Sequence, residues 1–197
     1  RRGYGQQIRD DGPQSHHVKR GTPTMGGVVL VIAAILGYVI SHLITRSDFT
    51  SSGFLVIGLI LGLAFVGFLD DWLKVVKQRS LGLRAREKLL GQALVAVIFA
   101  IVGLRFPDER GLSPISMHLS TVRDTSIVLG TVVVAIWAIF LVLGSSNGVN
   151  LTDGLDGLAS GAAVMSFLAF TLIGVWEFGQ RCAVTTATNC YEVRDPL

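Results

Sequence analysis

A polar stretch at residues 147–159 stands between two long apolar runs and carries side chains that can do chemistry. They are two amides, a hydroxyl and two carboxylates among glycines: Asn147, Asn150, Thr152, Asp153 and Asp156. An unpaired polar group at the edge of an apolar segment is costly, and no Lys or Arg within the stretch could neutralise the acids. A bound cation is therefore the simplest partner. Mg²⁺ suits such oxygen ligands, since it is usually held by one or two carboxylates together with substrate phosphates.

A second acidic pair, Asp70 and Asp71, ends another apolar run, and Lys74 follows it. Two neighbouring carboxylates are poorly placed at the C-terminus of a helix, where the dipole disfavours negative charge. Lys74 or a bound cation would offset this repulsion. The pair therefore predicts a functional site at the end of a helix.

Both acidic stretches also have a structural interpretation. Asp and Asn beside turn glycines are common helix caps, so Asp153 and Asp156 could cap the helix that follows. Asp70 and Asp71 could simply mark where a helix leaves the membrane. We favour the functional interpretation because two acid-bearing stretches occupy equivalent edges of apolar segments.

A glycine-rich segment at residues 21–27 leads into the first apolar run. The free N–H groups and the dipole at a helix start favour an anion, and Lys19 and Arg20 would add positive charge. An ordinary entry from a loop into a helix explains the segment equally well.

The elements that must position these residues are membrane helices. Half of the 197 residues are apolar and 16% are charged, and the mean hydropathy is +0.58. Five runs contain no Asp, Glu, Lys or Arg: residues 27–45, 49–69, 89–104, 125–152 and 157–176. A span needs roughly 20 apolar residues. The sequence therefore predicts an all-α polytopic membrane protein, one domain over residues 1–197, with helices at about 28–44, 54–72, 89–104, 126–143 and 158–175.

The distribution of positive charge predicts the orientation of these helices. Alternation places the N-terminal segment, the 70–88 loop and the 144–156 loop on one side, which carries eleven Lys and Arg, whereas the other side carries six. The positive-inside rule assigns the richer side to the cytoplasm. Basic residues in such loops suit lipid head groups and phosphates, and we expect no nucleic-acid partner.

The remaining loops face outward in this arrangement. The loop at residues 105–124 contains turn residues and predicts irregular structure or a short hairpin. Cys182 and Cys190 lie on the same side, which permits disulfides, so we expect a local disulfide between them, with two free thiols as the alternative.

Three motifs together resemble the polyprenyl-phosphate hexose-1-phosphate transferases. They are residues 16–27, the pentapeptide Asp70-Asp71-Trp72-Leu73-Lys74, and residues 150–159, in the order and spacing of that family. Within the first, Gly21-Thr22-Pro23-Thr24-Met25-Gly26-Gly27 resembles the branch that acts on UDP-MurNAc-pentapeptide. The resemblance covers essentially the whole chain.

The resemblance implies a ten-helix enzyme of the bacterial plasma membrane with cytoplasmic active-site loops. Such an enzyme transfers phospho-MurNAc-pentapeptide from UDP-MurNAc-pentapeptide to undecaprenyl phosphate, giving lipid I and UMP, and it requires Mg²⁺. A homodimer is also implied. The chain would hold the second to the sixth helix, and we expect this portion alone to be inactive because later cytoplasmic loops contribute to the site.

The matching positions receive their roles from the same resemblance. The catalytic residues implied are Asp70, Asp71, Asp153 and Asp156. The substrate-binding residues implied are Lys19, Thr24, Lys74, Lys88 and Asn150. Asp71 and Asp153 would hold Mg²⁺ together with a further Asp outside the chain. Asp70 would act as a general base on the acceptor phosphate or form a covalent intermediate, and the residues do not choose between these.

Three other functions fit parts of the sequence. A sibling enzyme would transfer GlcNAc-1-phosphate to the same kind of lipid, although the amino-acid sequence of residues 21–27 favours the pentapeptide donor. An ion-coupled transporter would also carry acids in its helices, but usually nearer mid-membrane. A purely structural role in the membrane would not explain why three acid-bearing or glycine-rich loops lie on one side.

Overall fold

The computed structural model describes residues 26–77, 82–107, 111–120, 124–153, 157–182, 184–186, 188 and 190–191. Within these residues the chain forms five α-helices and a two-stranded sheet, all long apolar segments being helical. The helices are α1 (Gly26–Thr45), α2 (Ser51–Val76), α3 (Ala85–Arg105), α4 (Thr131–Thr152) and α5 (Leu158–Gln180). The strands β1 (His118–Ser120) and β2 (Asp124–Val128) lie between α3 and α4. Each of the five helices is long and apolar enough to cross a membrane.

The helices are apolar on all faces rather than on one. Large side chains such as Leu30 in α1 and Phe167 in α5 are more than 70% exposed. A helix that is apolar all round belongs in a membrane or in a large core, and the buried core of the described residues consists of only four apolar side chains, Val66, Ala96, Ala100 and Val134. This pattern confirms the predicted polytopic all-α membrane fold.

The predicted ends of two helices were too conservative. The spans predicted at 54–72 and 89–104 belong to helices that run over Ser51–Val76 and Ala85–Arg105. Runs without charge mark only the apolar part of a helix, whereas Lys74 and Lys88 are helical as well. Glu87 supports the earlier start of α3, since its Oε2 accepts the N–H of Arg84 at 2.9 Å, as in one half of a capping box.

The fourth predicted span, residues 126–143, was wrong at both ends. Residues up to 128 form β2, and α4 extends over Thr131–Thr152, so most of the predicted 144–156 loop is helical. The polar side chains of this segment are satisfied within the helix: Asn147 Nδ2 donates to the carbonyl of Leu143 at 2.9 Å, and Thr152 Oγ1 donates to that of Gly148 at 2.8 Å. The fifth helix begins at the predicted Leu158 and continues to Gln180.

The chain divides into two compact units. The first comprises Arg1–Phe49 and Gly53–Phe99, and the second comprises Thr50–Ser52 and Ala100–Leu197. The prediction of a single membrane domain remains a prediction.

In the first unit, α2 and α3 pack closely through small residues. A Cβ on Gly62 of α2 would stand 2.7 Å from Cγ1 of Val95 in α3, and a Cβ on Gly91 of α3 would stand 3.1 Å from Cγ2 of Val66 in α2. Small residues at such contacts let the backbones of membrane helices approach each other. This packing holds the end of α2 beside the start of α3.

In the second unit, β1 and β2 pair antiparallel, with His118 opposite Val128 and Ser120 opposite Asp124. The hairpin alternative predicted for the 105–124 loop is confirmed, although its second strand continues to Val128. The disulfide between Cys182 and Cys190 is also confirmed.

Candidate active site

Asp70, Asp71 and Lys74 come together on the last turns of α2. Lys74 Nζ lies 2.6 Å from Oδ2 of Asp70 and 3.0 Å from Oδ1 of Asp71. The helix itself creates this arrangement, because residues three and four positions apart lie on the same face. Lys74 thus offsets part of the negative charge of the two carboxylates at the end of the helix where the dipole disfavours them.

The segment that precedes α3 contributes a further bond to this group. Oδ1 of Asp70 accepts the backbone N–H of Leu83 at 2.8 Å. Gly82 lies directly over Asp70: a Cβ built on it would overlap Oδ1 and stand 2.5 Å from the backbone oxygen of Asp70. Both oxygens of Asp70 are therefore engaged, one by Lys74 and the other by the backbone.

The two carboxylates differ in their environment. The side chain of Asp70 is 12% exposed, whereas that of Asp71 is 37% exposed. Lys74 contacts Oδ1 of Asp71, and within the part of the chain that the structure describes Oδ2 of Asp71 has no hydrogen-bond partner. Asp71 is therefore the more accessible carboxylate of the pair.

Lys88 adds positive charge to the same unit. It lies in the first turn of α3, the helix that follows the segment contacting Asp70. The contacts at the end of α2 thus combine two carboxylates with Lys74, side chains of the kinds that can contact a cation and a phosphate.

The other described candidates lie in the second unit. Asn150 is exposed in the last turn of α4. Asp153 is exposed and caps the C-terminus of α4, its N–H donating to the carbonyl of Val149 at 3.0 Å. The N-cap position of α5 is Gly157 rather than Asp153. Asp156, Lys19 and Thr24 lie outside the described residues, and their roles remain predictions.

Gly82 and Leu83 were not among the site residues predicted from the sequence. Their partner Asp70 stands 13 positions from Leu83, beyond the range of a helical spacing. A glycine between two charged stretches was the available signal, since it suggests a close approach of the backbone.

The chemistry of the donor set fits Mg²⁺ in kind. Asp71 offers a carboxylate oxygen, and Mg²⁺ is commonly bound through one or two carboxylates plus substrate phosphates rather than by a cage of protein ligands. Among the described residues, no group of three His, Cys, Asp or Glu side chains is gathered for a metal.

Comparisons with known proteins identify the family. The profile of glycosyl transferase family 4 matches residues 53–191, and a signature of phospho-N-acetylmuramoyl-pentapeptide-transferase matches residues 19–31. Curated proteins named phospho-N-acetylmuramoyl-pentapeptide-transferase are similar over the chain. The one from Streptomyces avermitilis is 57% identical and that from Streptomyces griseus 53%, each over 100% of this chain and 56% of the relative. The one from Cutibacterium acnes is 52% identical over 99% of this chain and 56% of the relative.

The chain therefore spans about half the length of the curated relatives that it matches. The family profile covers both Asp70-Asp71 and Asp153, and the signature covers the glycine-rich entry into α1. These matches confirm the resemblance predicted from the three motifs: the chain belongs to glycosyl transferase family 4.

Proposed function

We propose that this chain forms part of the active site of an enzyme that transfers phospho-MurNAc-pentapeptide from UDP-MurNAc-pentapeptide to undecaprenyl phosphate, releasing UMP and giving lipid I. One observation carries the proposal: Lys74 Nζ bridges two adjacent carboxylates at the polar end of an apolar helix. The name of the relatives and the signature at residues 19–31 support the choice of donor.

The positive groups of the first unit would bind phosphate. Lys74 is 35% exposed and can contact a phosphate while it still contacts a carboxylate. Lys88 would add to the attraction. Neutralising phosphates that repel one another is a main requirement of phosphoryl transfer.

Asp70 would take the proton of the acceptor phosphate. Oδ2 of Asp70 lies beside Lys74, so a phosphate drawn to Lys74 would lie next to that oxygen. Because Oδ1 is already held by the Leu83 N–H, we favour proton transfer at Oδ2 over nucleophilic attack by this carboxylate.

Asp71 would hold Mg²⁺ through its available oxygen, and the resemblance adds Asp153 as a second ligand. The ion would neutralise developing charge on the phosphates. Asp156, Asn150, Lys19 and Thr24 belong to the same proposal through the resemblance.

The proposed setting is the bacterial plasma membrane, with the end of α2 that bears Asp70 in the cytoplasm. The excess of Lys and Arg in the segments on that side supports this orientation. A water-soluble nucleotide donor and a lipid acceptor meet naturally there. The resemblance also supports a homodimer, which native mass spectrometry of the purified protein would detect.

The test uses the full-length protein, which is a chain as long as the curated relatives in which residues 1–197 are unchanged. It is purified in detergent and given undecaprenyl phosphate with UDP-MurNAc-pentapeptide or UDP-GlcNAc, with Mg²⁺ or with a chelator. We expect UMP and a lipid-linked product from the pentapeptide donor only, and only with Mg²⁺.

Two other results would overturn the proposal. Product from UDP-GlcNAc alone would identify the sibling transferase instead. Ion or solute uptake into proteoliposomes, without UMP release from either donor, would identify a transporter.

A further inference from the structure

The contact of Gly82 and Leu83 with Asp70 does not arise from the helical spacing within α2, the helix that carries Asp70 and Asp71. Asp70 belongs to α2, whereas Gly82 and Leu83 precede α3, and the backbone of the two residues closes over the carboxylate. Gly82 is itself buried. Such a contact fixes one oxygen of Asp70 from outside its own helix.

The hydrogen bond determines which oxygen of Asp70 remains for chemistry. The Leu83 N–H donates to Oδ1 at 2.8 Å, whereas Lys74 lies 2.6 Å from Oδ2. With Oδ1 held, rotation of the carboxylate is restricted and Oδ2 stays directed at Lys74. Preorganised groups of this kind lower the cost of reaching a reactive arrangement.

Glycine is required at position 82 by space. A Cβ there would overlap Oδ1 and stand 2.8 Å from Cγ of Asp70 and 2.5 Å from its backbone oxygen. The backbone oxygen belongs to α2 and cannot move aside cheaply. Any larger residue at position 82 must therefore displace either the carboxylate or the segment that carries the Leu83 N–H.

We propose that Gly82 and the N–H of Leu83 are positioning residues that hold Oδ1 of Asp70 and thereby direct Oδ2 toward Lys74 and the acceptor phosphate. The inference rests on the proposed function, because it assigns the pair a role in orienting the catalytic carboxylate. Neither residue touches substrate in this scheme.

The experiment compares matched variants of the full-length protein with UDP-MurNAc-pentapeptide and undecaprenyl phosphate as substrates. Gly82→Ala introduces the overlapping Cβ, and Leu83→Pro removes the N–H donor. Gly67→Ala is the control for the first, because a Cβ at this glycine of α2 meets open space. Leu83→Ala is the control for the second, because it shortens the side chain and keeps the N–H.

We expect Gly82→Ala and Leu83→Pro each to lower kcat about 10-fold to 100-fold, with the KM for the nucleotide donor changed less than about threefold, since a misplacement of about 1 Å can cost 10²-fold in rate. The two controls should keep near-normal kcat. Thermal unfolding of each purified variant identifies loss of fold, which a positioning role does not require.

Combination with Asp70→Asn separates a positioning role from a structural one. If Gly82 acts through Asp70, the variant carrying both substitutions should be no slower than Asp70→Asn alone, whereas independent effects would multiply. Multiplied effects, or near-normal kcat in both Gly82→Ala and Leu83→Pro, would overturn the inference while leaving the proposed function intact. Near-normal turnover of Asp70→Asn itself would instead contradict the proposed active site.

Discussion

The two aspartates of the candidate site are adjacent in sequence but not equivalent. Asp70 is nearly buried with both oxygens engaged, whereas Asp71 is about one-third exposed and has an oxygen without a partner among the described residues. This difference supports separate roles, with Asp70 oriented for proton transfer and Asp71 available to a cation. Because both residues are aspartates, the sequence alone could not assign these separate roles.

Lys74 is the residue on which both carboxylates depend. Replacing it by Gln removes the positive charge that contacts both carboxylates and that we propose binds phosphate. We expect Lys74→Gln in the full-length protein to lower formation of the lipid-linked product about 10²-fold. Lys74→Arg keeps the charge, but its planar guanidinium replaces a compact ammonium, so its loss should be smaller.

Product formation by these variants is measured at saturating donor and Mg²⁺, with Lys77→Gln as the control. Lys77 is exposed just after the end of α2 and should tolerate the same change. Equal activity of Lys74→Gln and Lys77→Gln would show that the bridging lysine has no special role.

At the residue scale, local spacing predicted what one helix can bring together. Lys74 follows Asp70 by four positions and Asp71 by three, and its contacts with both follow from helical geometry. The contact of Leu83 with Asp70 depends on how α3 returns beside α2, which no local pattern encodes. The sequence therefore predicted the charged groups of the site but not the backbone that orients one of them.

The positions of the helices could be predicted from the sequence, because an apolar run of about 20 residues in a membrane has few alternatives to a helix. The ends of the helices could not be predicted in this way, because polar residues can remain helical. Asn147 and Thr152 each donate to a carbonyl four positions earlier in α4, so a polar composition at residues 144–152 did not mean a loop. Strand β2 was absorbed into the predicted fourth span because its apolar residues resemble those of the helix that follows.

The packing of α2 on α3 positions the site. A substitution at Gly62, which lies in this contact, tests how closely the two helices approach. A Cβ at Gly62 would stand 2.7 Å from Cγ1 of Val95, and overpacking of this kind costs about 1–3 kcal/mol. The higher helix propensity of Ala offsets up to about 1 kcal/mol of that cost. We therefore expect Gly62→Ala to lower the Tm of the full-length protein in detergent.

Two matched variants make this test specific. Gly58→Ala, one turn earlier, meets open space and should leave the Tm unchanged or raise it. Val95→Ala should restore part of the Tm lost in Gly62→Ala, because it removes the methyl groups that clash. A Tm of Gly62→Ala equal to that of Gly58→Ala would argue against the close approach of the two helices.

The five described helices that are long and apolar enough to cross a membrane require an orientation. We expect the end of α2 that bears Asp70 in the cytoplasm and the disulfide loop outside. Single cysteines at Lys77→Cys and Thr186→Cys, in a background with Cys182→Ser and Cys190→Ser, report the two sides. Thr186→Cys should react with an impermeant maleimide in intact cells, and Lys77→Cys only after permeabilisation.

Both cysteines would replace exposed residues, so a difference in labelling reports the side of the membrane rather than burial. Labelling of Lys77→Cys in intact cells would reverse the proposed topology. It would also move the candidate site away from a cytoplasmic nucleotide donor.

Asp70 and Asp71 are proposed to act chemically rather than as parts of a helix end. Replacement by Asn tests this directly, because Asn keeps the size and one acceptor oxygen but has no charge. The measurement is the turnover of Asp70→Asn and Asp71→Asn in the full-length protein at saturating Mg²⁺. Asp48→Asn, an exposed position between α1 and α2, is the control, and the amount of each variant in the membrane is measured alongside. We predict a loss of about 10²–10³-fold for both site variants and none for the control, whereas near-normal turnover of Asp70→Asn and Asp71→Asn would contradict this account.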